Sequence, residues 1–62
     1  MHKWRVAQDI TLGLHDKGFN LKKGEIIEAS DIDSYRRMNA IIQGTEITIS
    51  AVTLDRIAIK EN

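Results

Sequence analysis

Sixty-two residues without cysteine or proline, with nine basic and nine acidic side chains, describe one small domain of zero formal charge. A chain this short buries only about 60% of the surface it exposes when unfolded, so its stability is marginal. The composition excludes disulfides and thiolate metal sites, and no apolar run approaches the ~20 residues that cross a bilayer as a helix.

The opening residues alternate. Trp4, Val6, Ile10, Leu12 and Leu14 are apolar, while Lys3, Arg5, Asp9, Thr11 and Gly13 are polar or small. Period two predicts a strand with one buried face. Gln8 interrupts the apolar row, which places a bend or bulge at Gln8-Asp9. "HDKG" at 15–18 is a turn signal, with Gly18 free to take positive φ. Phe19 and Leu21 resume the alternation and suggest a hairpin. "KKGE" at 22–25 is a second turn, and Ile26-Ile27 begins a short strand ending near Ala29.

From Ser30 the period changes. Ile32, Tyr35, Met38, Ile41 and Ile42 recur at helical spacing. Ser30 or Asp31 can cap such a helix, Asp33 suits its first turn, and Asp33 and Arg37 are four apart. Gly44 fits the residue just past its end. Alternation then returns with Ile47, Ile49 and Ala51. "VTLDR" at 52–56 reads as a turn, and 56–60 as a last strand. The expectation is a single α+β domain over 1–62, a small antiparallel β-sheet or open barrel of order β–β–β–α–β–β with one short helix.

Few residues point to chemistry. Lys22 and Lys23 could form a basic rim that contacts a phosphate or an acidic partner. However, a phosphate-binding loop needs more glycines and leads into a helix, so a solvated turn is the simpler reading. Arg36 and Arg37 fall on the polar side of the expected helix, as a solvated face or an interaction face. Trp4, Phe19 and Tyr35 all occupy apolar-periodic positions and are expected in the core, with the Trp4 indole N–H finding an acceptor. His2, expected at a frayed terminus, and His15, expected exposed in a turn, have no spacing to a carboxylate cluster, so neither a metal nor another cofactor is expected. Ser30, Ser34 and Ser50 lack a histidine partner, and no catalytic arrangement is legible.

Charge is unevenly distributed. Residues 1–23 carry Lys3, Arg5, Lys17, Lys22 and Lys23 against Asp9 and Asp16, and the remainder carries the compensating acidic excess. Three functions fit. The leading one is a non-catalytic protein–protein interaction module that docks onto a partner or its own copies, with Lys22, Lys23, Arg36 and Arg37 as rim contacts. A nucleic-acid-binding barrel of SH3-like or OB-like character would use the basic half, although zero net charge argues against it. An acidic inhibitor would present Glu25, Glu28, Asp31 and Asp33 as phosphate mimics. Without an apolar core typical of a secretory signal in "MHKWRVAQDI", a cytoplasmic location is expected.

Trp4, Val6, Phe19, Lys23, Gly24 and Glu25, followed by the segment from Tyr35 to Ile42, together resemble small accessory proteins of tailed bacteriophages. That resemblance covers about two-thirds of the chain. It implies a virion component on a capsid or connector, or a small host-directed regulator, and it assigns no functional residue.

Overall fold

Alternation governs far more of the chain than its helical period does. In the computed structural model, which describes residues 1–14 and 16–61, the described residues form seven strands and one short helix. The strands are β1 (His2–Val6), β2 (Ile10–Leu14), β3 (Lys17–Leu21), β4 (Ile26–Ala29), β5 (Arg37–Ile42), β6 (Thr45–Ser50) and β7 (Ala58–Lys60), and α1 (Ala51–Ile57) separates the last two. Five strands make an antiparallel sheet of order β6-β5-β4-β1-β7, and β2 and β3 pair as a separate hairpin. The fold is therefore mainly β, which corrects the expected α+β order: the helix over 30–42 does not form.

The reason lies in how 30–44 distributes its apolar groups. Met38, Ala40 and Ile42 are buried, whereas Ile32 and Tyr35, needed for a helical stripe, are 56% and 74% exposed. Ile41 and Ile42 are adjacent and satisfy either period. The strand wins because Met38, Ala40 and Ile42 all face the core and because Gln43-Gly44 closes a two-residue hairpin. Both have positive φ, 52° and 81°, as a type I′ turn requires. Gly44 thus serves a hairpin and not a helix end. Asp33 also serves a turn. Its Oδ1 accepts from the amides of Tyr35 at 2.8 Å and Arg37 at 2.9 Å, the same short-range acceptor chemistry that makes aspartate a helix cap.

The helix that does form was expected to be a turn at 52–56 preceded by strand. Ser50 caps it, accepting from the Thr53 amide at 3.2 Å. Ala51, Leu54 and Ile57 are buried at a spacing of three, so α1 turns one apolar edge inward. The last strand shortens accordingly to Ala58–Lys60. In the first half the strands fall as the alternation predicts, with the expected long first strand broken into β1 and β2 at residues 7–9. Gly18 is not a turn residue: it pairs with Gly13 within the β2–β3 hairpin. The chain reverses between Leu14 and Lys17, and the reading of His15 lies outside the described residues.

One core joins these parts. Leu12, Phe19 and Leu21 of the hairpin, Trp4, Val6, Ile27 and Met38 of the sheet, and Leu54 and Ile57 of the helix belong to a single buried cluster. Of the three aromatics expected there, Tyr35 is outside it.

Candidate functional site: a cleft at one end of the sheet

The turn "KKGE" resolves into backbone chemistry. The Glu25 amide donates to the Lys22 carbonyl at 3.0 Å, and Gly24 has φ +94°, the position that a type II turn reserves for glycine. The Lys22 amide donates to the Glu25 carboxylate, and the Lys23 amide donates to Asp9 Oδ1 at 2.8 Å. Gly24 and Glu25 also continue the β1 ladder through Val6. The hydrogen bonds of this turn hold the chain, and the lysine side chains stand in solvent. Lys22 borders an open hollow of about 280 Å³ with Asp9, Ile10, Thr11, Asn20 and Leu21.

A smaller cleft of about 160 Å³ lies at the opposite end of β1. Strand alternation puts His2, Trp4 and Val6 on the inner face of β1. Residues directly opposite in an antiparallel pair share a face. Lys60 is opposite Trp4 on one side and Ile27 on the other, and Ala29 is opposite His2. Beyond Ala29, Ser30 extends the ladder: its amide donates to the Asn39 carbonyl at 2.9 Å and its Oγ accepts from the Asn39 amide at 3.0 Å. The chain then leaves the sheet through Asp31 and Ile32. The cleft has Trp4 and Met38, 6% and 3% exposed, as apolar walls, with Ile32 at its margin and His2, Ser30, Asp31 and Lys60 as polar lining.

Electrostatics at the cleft centre on Asp31. His2 Nε2 donates to Asp31 Oδ1, and this hydrogen bond, followed by the charge of His2, lowers the Asp31 carboxyl below its ordinary value, with Lys60 contributing in the same direction. Lys60 itself has no paired carboxylate among the described residues. The Trp4 indole Nε1 is buried and has no acceptor among the described residues, contrary to the expectation that it finds one. A buried donor left unpaired costs about 1–3 kcal/mol.

The four rim residues expected from sequence are separated. Arg36 and Arg37 follow the loop that lines the cleft. Arg36 takes φ +59° at the end of the Asp33 turn, and the Arg37 guanidinium lies 5.2 Å from the centre of the exposed Tyr35 ring. Lys22 and Lys23 are at the far end of β1. Sequence reasoning missed Lys60 and did not bring His2 and Asp31 together, because strand pairing alone unites them.

The charged groups of the other two functional readings are partly engaged within the fold, while Lys17, Lys22 and Lys23 stay exposed. In the basic half, Arg5 donates to Glu61 at 2.6 Å, and Glu28 stands opposite Lys3. Of the acidic quartet, Glu25 holds the Lys22 turn and accepts from Gln43, Asp31 holds His2, and Asp33 holds its own turn. No helix among the described residues is long and apolar enough to cross a membrane.

No family model, curated protein or solved structure matches this chain.

Proposed function

We propose that the protein is a non-catalytic interaction module that docks a protein partner at the Trp4–Met38 cleft. The observation that carries this reading is the size and lining of the cleft. Small-molecule sites usually run from about 300 Å³ upward, and this one is about 160 Å³. A cavity of about 150 Å³ accommodates a benzene ring, so the cleft matches a single large apolar side chain. Interfaces concentrate their energy in such anchors, surrounded by near-neutral contacts. Here Ile32, an exposed residue at the cleft margin, adds apolar surface, and Lys60 adds a polar edge. An accessory role in a phage particle, or in a phage-directed regulatory contact, is the setting we propose for it.

Selection from a random peptide display library tests the reading. Enriched peptides are expected to bind the native protein and to lose affinity for Ile32→Asp, a substitution at an exposed position that leaves the core intact. Failure to enrich any peptide, or peptides that bind Ile32→Asp as tightly as the native protein, would overturn it.

A further inference from the structure

The polar groups of the cleft do not balance, and the imbalance specifies what enters. Asp31 is the carboxylate of the lining, and His2 already occupies it. Lys60, held on the same face as Trp4 by its register in β7, keeps an unpaired ammonium at the margin. Trp4 contributes a donor with no acceptor among the described residues. Of the charged groups in the lining, Asp31 is engaged by His2 and Lys60 has no carboxylate paired with it among the described residues, at the margin of an apolar hollow the size of one side chain.

Resting on the reading of this cleft as a docking site, we infer that its occupant is an acidic peptide segment of a protein partner: a large apolar side chain, aromatic or branched, flanked by carboxylates. The apolar group fills the space between Trp4 and Met38. A flanking carboxylate pairs with Lys60. A basic segment is disfavoured on the same grounds, because it would meet Lys60 with Asp31 already engaged.

Three fluorescein-labelled nonapeptides measure this directly: one with a central phenylalanine flanked by glutamates, one with the phenylalanine flanked by lysines, and one with alanine flanked by glutamates. Fluorescence anisotropy at low and moderate salt reads their affinities. The glutamate–phenylalanine peptide is expected to bind at least about tenfold more tightly than either control, a difference of one decade in Kd, with a margin over the lysine peptide that shrinks as salt rises. In Lys60→Glu the preference between glutamate and lysine flanks is expected to reverse, and in Lys60→Gln to diminish. Lys60 is an exposed residue of an edge strand, and unchanged circular dichroism verifies folding of both variants. Equal binding of the two phenylalanine peptides, or an unaltered preference in Lys60→Glu, would overturn the acidic occupant while leaving the docking site standing. Absence of binding by all three peptides would also overturn it, and the display selection then decides separately whether the cleft docks anything.

Discussion

His2 and Asp31, 29 residues apart in the chain, share a hydrogen bond that ties the first residue of β1 to the loop after β4. The pair exists because antiparallel pairing sets His2 opposite Ala29, two positions before Asp31. It closes one side of the cleft and occupies the carboxylate that would otherwise compete for Lys60.

This pair makes stability depend on pH in a defined direction. The folded Asp31 carboxyl is lowered from 3.8, so the native state favours its ionised form more than the unfolded chain does. The contribution is fully present above the unfolded value of about 3.9 and disappears as pH falls through the lower folded value. Thermal melts from pH 2 to 6 should show the native protein losing its advantage over Asp31→Asn below about pH 4. A constant difference between the two across that range would contradict the assignment.

The "KKGE" turn should be insensitive to its lysine side chains and sensitive to its carboxylates. Lys22→Ala and Lys23→Ala are expected within about 0.5 kcal/mol of the native protein in urea unfolding, because the Lys22 and Lys23 amides make the hydrogen bonds. Asp9→Ala and Glu25→Ala each remove an acceptor and should cost about 1 kcal/mol. Gly24→Ala meets no steric obstruction but retains a φ of +94°, and the left-handed backbone should cost about 1–2 kcal/mol.

The position of the helix is open to the same measurement. Ser50→Ala removes the cap on the Thr53 amide and should destabilise by about 1 kcal/mol. Leu54 is fully buried, and Leu54→Ala should cost about 2–5 kcal/mol, a large share of the stability of a domain this small. Were residues 51–55 an exposed turn, both changes would be nearly silent.

How much of this was legible follows from where period and burial agree. Trp4, Val6, Leu12, Phe19 and Leu21 are spaced two apart within their strands and are all buried, so the first half of the sheet was readable. Between Ser30 and Gly44 the signals conflict. Ile32, Tyr35 and Met38 are spaced as a helical stripe, Met38, Ala40 and Ile42 as a strand, and local spacing cannot weigh one against the other. The deciding contribution is tertiary: β5 lies between β4 and β6 and inserts Met38, Ala40 and Ile42 into the shared core. Aspartate and glycine added to the ambiguity, since Asp33 and Gly44 perform turn functions that equally suit helix ends. Ala51 continues the apolar alternation of β6, which concealed the start of α1. The cleft was less legible still. His2, Asp31 and Lys60 carry no sequence motif and meet only through the β1–β4 and β1–β7 registers, and the unpaired Trp4 N–H is a property of packing.

Trp4 is the single tryptophan of the chain, so its indole N–H gives one assignable resonance at the wall of the proposed docking site. The most direct test of the account is a heteronuclear NMR titration of isotope-labelled protein with the glutamate–phenylalanine peptide. A saturable shift of the Trp4 indole, with the Met38 and Ile32 signals moving in parallel, is the predicted result. Shifts confined to the Lys22–Glu25 turn or to the outer sheet face around Ile26 and Ile59, with the indole stationary, would contradict it.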